Sequence, residues 1–236
     1  MSIYLARHGK TMLNTVDRSQ GWIDAPLTPA GIEVAEALGR GTADVSFDAV
    51  YSSSSGRAIE TAVLVLENNG QADLIDSLVQ DPRLREYNFG TFEGMPNEEM
   101  ISEAAAGLEQ SAEEILAGNY VDAIQALADQ LAQMDAAALE PGVNWPAENY
   151  ETVAERAMEA LDSIAADAQE QCLSSVLVVS HGMTISTIAA ELGAKDAVPP
   201  GGPANSSVTL ITHANDEYTV HSVGDTSYLE AGQTEG

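Results

Sequence analysis

The chain has 236 residues, enough for one large domain with a substantial core, and 44% of them are hydrophobic, which excludes wholesale disorder. Acids outnumber bases 37 to 9, for a formal charge of −28, and such a field predicts neither nucleic acid nor a membrane surface as a partner. The single cysteine, Cys172, excludes an internal disulfide and any Cys-rich zinc site, and no apolar run approaches the ~20 residues that span a bilayer.

Residues 2–6 read as a short buried strand that runs directly into Arg7-His8-Gly9. A signal peptide needs a basic start and a longer apolar stretch, so a cytoplasmic address is expected. Thr28-Pro29 opens a helix as N-cap and first helical residue, with Ile32, Ala35 and Leu38 at helical spacing. Residues 49–52 predict a strand, 56–68 a helix that Gly70 can terminate, and 76–79 a third strand. From Gly94 to Trp145 the chain is rich in Ala, Glu and Gln and reads as helical throughout. A long helix is expected over about 150–170. Residues 175–180, apolar on both faces, predict a central parallel strand, followed by a helix over 182–192 and strands over 207–212 and 218–223. Alternating strands and helices imply an α/β fold, a three-layer sandwich around a mainly parallel central sheet. The expected organisation is a single domain over 1–236 with a helical cap insertion at about 95–148, and a site beyond the carboxyl ends of the strands.

Two histidines each follow a strand and precede a glycine, in Ala6-Arg7-His8-Gly9 and Ser180-His181-Gly182. If both strands are parallel and central, both imidazoles emerge at one edge. The nine cations are scarce, yet Arg7, Lys10 and Arg18 cluster early, Arg57 follows a strand end, and Arg83 and Arg85 precede Glu86. Clustered arginines, glycine turns and helix N-termini suit a phosphate dianion. Screening beyond ~8 Å in physiological salt lets such a cluster attract an anion despite the acidic background. Among the acids no spacing matches a metal site. His213, His221 and Cys172 read as structural or exposed, while Trp22 and Trp145 read as pocket-mouth or packing residues.

These residues resemble the histidine phosphatase superfamily, the phosphoglycerate mutase-like fold. Arg7-His8-Gly9-Lys10-Thr11 with Asn14, Arg18 and Gln20-Gly21 is similar to its N-terminal signature, which Asp24 to Gly31 continues. Ser52 to Ala58 with Thr61-Ala62, Leu84-Arg85-Glu86 with Gly90 and Glu93-Gly94, and Ser180-His181-Gly182 resemble its later blocks. The resemblance implies that His8 is the nucleophile and becomes phosphohistidine, while Arg7, Arg57 and His181 hold the transferring phosphoryl group. It further implies that Asn14 and the Gly182 amide donate to that group, that Arg18, Gln20 and Gly21 border the substrate, and that Glu86 gives the leaving oxygen its proton. It implies metal-independent chemistry with no cofactor.

The superfamily includes phosphatases and cofactor-dependent mutases. A mutase must hold a second anionic group, yet Glu86 to Glu155 contains no Lys, Arg or His. A phosphatase for a small phosphomonoester with a neutral, apolar or cationic distal part is therefore expected. A phosphoglycerate mutase, a metal-dependent phosphoesterase and a non-catalytic phosphate-binding module are the alternatives. The physiological substrate and the oligomeric state are not legible in the sequence.

Overall fold

A computed structural model describes residues 1–140 and 142–233. The chain runs β1 (Ser2–Arg7), α1 (Met12–Thr15), α2 (Pro29–Gly41), β2 (Ala49–Ser53), α3 (Gly56–Asn69), β3 (Val79–Asp81), α4 (Asn97–Gly107), α5 (Ala112–Leu116) and α6 (Tyr120–Ala138). It continues with α7 (Tyr150–Gln171), β4 (Ser175–Ser180), α8 (Gly182–Glu191), β5 (Val208–Ala214), β6 (Glu217–Asp225) and α9 (Ser227–Gln233). The six strands form one sheet in the order β3-β2-β4-β1-β5-β6. β1 to β4 pair in parallel, and β5 runs antiparallel to both β1 and β6. The expected α/β class with a mainly parallel sheet is therefore observed.

Strand periodicity sorts the core into two layers. Val176 and Val178 of β4, with Ile3 and Leu5 of β1, face α7 and α8 through Leu161, Ile164 and Ile188. Leu177 and Val179, with Ala6, face α2 and α3 through Leu38, Ala62 and Val65. Helices thus cover both faces, and a strand apolar on both sides is the expected consequence. Local signals mark the helix ends as read. Thr28 Oγ1 accepts from the Gly31 amide with Pro29 at the first position, and Gly70 closes α3 with φ +86°.

Two elements differ from expectation. The third strand is three residues long, and 72–77 form a 3-10 turn instead, where Leu74 and Ile75 pack beneath α3 in place of a strand pairing. The 94–145 stretch is also not helical throughout. It breaks at residues 108–111 and 117–119, and α6 ends at Ala138. Gly142, with φ +85°, and Pro146 suit the irregular chain leading to α7, while Pro141 lies outside the described residues. Helices α4 and α6 close over residues 87–92, where Tyr87, Phe89, Phe92, Met100, Ile124 and Leu131 form a separate core. Among the described residues, no helix is long and apolar enough to cross a membrane.

Candidate active site

Register creates the site. β1 and β4 are neighbours with Arg7 opposite Ser180. The next residue on each is a histidine, so His8 and His181 leave the sheet side by side, their ring centroids 5.1 Å apart. β2 flanks β4 on the other side, ends at Ser53, and feeds α3, whose second residue is Arg57.

Hydrogen bonds define the His8 tautomer. Nδ1–H donates to the Gly9 carbonyl at 2.7 Å, and Arg57 Nε donates to Nε2 at 3.4 Å. A carbonyl only accepts and a guanidinium only donates, so the ring is neutral with its lone pair on Nε2. Burial, then the charges of Arg57 and Arg7, hold the His8 pKa well below its ordinary value. His181 has the opposite tautomer. Its Nδ1 accepts from Arg57 Nη2 at 3.0 Å and its Nε2–H donates to Ser53 Oγ at 2.8 Å. Burial, then Arg57 and His8, push its pKa down as well.

Arg57 is buried and spends its remaining donors on the 21–24 loop. It reaches the Gly21 carbonyl at 2.8 Å, the Ile23 carbonyl at 3.1 Å and Asp24 Oδ1 at 3.0 Å. Asp24 also accepts from the Gly56 amide at the start of α3. Arg7 Nη1 donates to the Pro203 carbonyl, and its guanidinium lies against Gly182, where a Cβ would stand 3.2 Å from Cζ. A side chain there would push the guanidinium aside by a few tenths of an ångström.

Glu86 is buried against the first turn of α8. Its Oε1 accepts from the Tyr87 and Thr184 amides and from Thr184 Oγ1, while Oε2 accepts from the Met183 amide alone at 3.0 Å. A helix N-terminus is a natural seat for a carboxyl group.

Arg7, His8, Asn14, Arg18, Gln20, Glu86 and Gly182 all line one cavity of about 520 Å³. Among the described residues, Arg7 Nε and Gln20 Nε2 are buried donors with no protein acceptor. Asn14 Oδ1 accepts from the Thr11 amide, which directs part of that side chain to capping α1. Arg18 sits at the exposed rim, with Nη1 on the Gly94 carbonyl. Gly21 is not in the cavity wall. A Cβ there would fall 2.0 Å from the Tyr87 carbonyl, so the position serves the packing that carries Arg57. Arg83 also stands apart, paired with Asp81 at 2.7 Å. Arg85 lies 4.9 Å over Trp22, whose ring in turn packs on Trp145.

Several partners have roles that the sequence reading did not assign. Ser53 orients His181, and Asp24 neutralises Arg57. Glu93 accepts from the amides of Gly21, Trp22, Ile23 and Phe89. Arg156, paired with Glu148, donates to the carbonyls of Arg83, Arg85 and Glu86. Among the described residues, no group of three or more His, Cys, Asp or Glu is arranged to hold a metal ion.

The chain resembles known proteins over nearly its whole length. A phosphoglycerate mutase structure from Bacillus anthracis matches with 38% identity and a TM-score of 0.88, over 99% of this chain and 96% of that one. A protein of Erwinia tasmaniensis named "Probable phosphoglycerate mutase GpmB" is 28% identical over 98% of this chain and 95% of its own length. The α-ribazole phosphatase of Shigella flexneri shares the fold, with 24% identity and a TM-score of 0.66 over 95% of this chain and 96% of that one. The family model of the histidine phosphatase superfamily (branch 1) matches residues 3–114 and 108–226. The chain belongs to the histidine phosphatase superfamily.

Proposed function

We propose that the chain is a phosphomonoester phosphatase acting through a phosphohistidine on His8. The observation that carries this reading is the His8 ring, neutral, with Nε2 as its lone-pair nitrogen on a cavity bordered by Arg7 and Glu86. Phosphoryl transfer needs positioning and charge stabilisation more than covalent chemistry from the protein. Arg7 receives the phosphoryl oxygens, aided by Asn14, Gln20 and the Gly182 amide, while Arg57 and His181, whose hydrogen bonds go to protein partners and which lie behind the cavity wall, hold His8 in place. The Nε2 pair attacks phosphorus as the ester P–O bond breaks, and protonated Glu86 gives its proton from Oε2 to the leaving oxygen. Oε2 is the carboxyl oxygen with a single protein donor. Water then attacks phosphorus, Glu86 takes a proton, and the P–N bond returns its pair to His8.

The names of the Bacillus anthracis and Erwinia proteins favour a second reading, a phosphoglycerate mutase using the same phosphohistidine. A mutase must anchor a carboxylate, and residues 86–155 carry no cation to do so. The test is hydrolysis of an aryl phosphate by wild type and His8→Ala, with and without EDTA, beside isomerisation of 3-phosphoglycerate. Metal-independent hydrolysis that falls on the order of 10³-fold or more in His8→Ala supports the phosphatase. Isomerisation that outpaces hydrolysis would support the mutase, and loss of turnover in EDTA would contradict both.

A further inference from the structure

Within the phosphatase reading, we infer that the substrate is the phosphate ester of an apolar, uncharged alcohol, and that the cap helices select it. The cavity has two chemically distinct ends. Arg7, His8, Gln20 and Glu86 occupy the floor at the sheet edge. Above them the walls come from α4, α5 and α6, with Met100, Ile101, Leu116, Ile124, Leu127 and Leu131.

Four of these wall residues are anchored from behind. Met100, Ile124 and Leu131 are buried members of the core that α4 and α6 share with Phe89, and Leu127 packs on it. Their apolar surface is therefore held towards the cavity by packing. About 520 Å³ is within the range of sites that enclose a compact organic ligand.

Charge argues against a second anion. Residues 86–155 supply the α4, α5 and α6 side of the cavity and hold no Lys, Arg or His. The rim carries Asp17 and Glu98 against the single cation Arg18, which is tied to the Gly94 carbonyl. A distal carboxylate or phosphate would be desolvated against hydrocarbon and would leave past a net negative rim. A sugar ester would set its hydroxyls against this hydrocarbon, where Asn97, Ser102 and Tyr120 are the uncharged polar groups that α4 and α6 offer. A cationic tail would meet the acids only at the rim, after crossing the apolar walls.

The experiment is a homologous series of n-alkyl phosphates from methyl to hexyl, assayed with wild type, Ile101→Asn and Leu116→Asn. Leu116 is half exposed, so its substitution leaves folding intact even if the Ile101 variant misfolds. For wild type, kcat/KM should rise about threefold per methylene, roughly two orders of magnitude across the series. At least one wall variant should narrow the hexyl-to-methyl ratio about tenfold. Turnover with a flat series, or a preference for 3-phosphoglycerate, glucose 6-phosphate or phosphocholine, would overturn this inference and leave the phosphatase standing. A folded wild type that hydrolyses none of these esters would overturn the phosphatase reading itself.

Discussion

His8 is placed by a chain of local causes. The strand ends at Arg7, the next carbonyl but one in sequence takes the Nδ1 proton, and Arg57 faces Nε2. Burial and the two arginines favour the neutral ring. At pH 6.5, where a free histidine is half protonated, ¹⁵N NMR should show His8 neutral with the proton on Nδ1. A protonated imidazolium at that pH would contradict the geometry. Arg57 is the second controlling residue, since one planar fork serves both histidines, two carbonyls and Asp24. A lysine cannot reproduce that fork, so Arg57→Lys should lower kcat/KM by about 10² or more. Retention of near-full activity would show that only its charge matters. The two histidines and Arg57 were legible because each stands directly after a strand or at a helix start. Ser53 and Asp24 stand inside the recognised blocks, but their roles were not legible, because their partners are 128 and 33 residues away.

Elements meet through carboxylates. Glu86 ties the segment after β3 to the first turn of α8, nearly 100 residues on. Glu93 gathers four backbone amides from the 21–23 loop and Phe89 onto one carboxylate. Removing it would leave those donors without an acceptor in a partly buried setting. Glu93→Ala should cost about 2–4 kcal/mol in denaturant unfolding and weaken activity through the loop that holds Arg57. Unchanged stability would mean that the loop is held by other contacts. At this scale the helix boundaries with strong caps were readable, at Thr28-Pro29 and Gly70. The third strand was misplaced because Leu74 and Ile75 find burial in a turn, so apolar content there did not require pairing. The cap read as one helical run because Ala and Glu favour helix wherever they stand. Its breaks let α4 and α6 pack over the 87–92 segment and α5 pack on both through Ile115, a tertiary arrangement that propensity does not encode.

The whole molecule couples its site to its stability. His8 and His181 are both neutral when folded, while the unfolded chain protonates them near 6.5. Below that pH the unfolded state binds protons that the folded state does not. The stabilisation is therefore fully present above pH 6.5 and is lost as pH falls below it, by up to ~2.7 kcal/mol per pH unit for two such protons. Most carboxylates titrate lower, so the window from pH 6.5 to 5.5 isolates the histidines. His8→Asn should about halve the slope there; equal slopes would contradict the shared burial. The charge of −28 acts separately, by self-repulsion that salt screens. Composition announced that field, but only the fold shows Arg57 buried and Arg7 half-buried at one sheet edge while Arg40, Arg83, Arg156 and Lys195 pair elsewhere.

The central claim is that His8 Nε2 carries the phosphoryl group. Rapid quenching of the protein with ³²P-labelled aryl phosphate, followed by peptide mapping, tests it most directly. An acid-labile, base-stable label on the peptide containing His8, absent from His8→Ala, is the predicted result. Turnover with no label on that peptide, or a label that persists in His8→Ala, would contradict it.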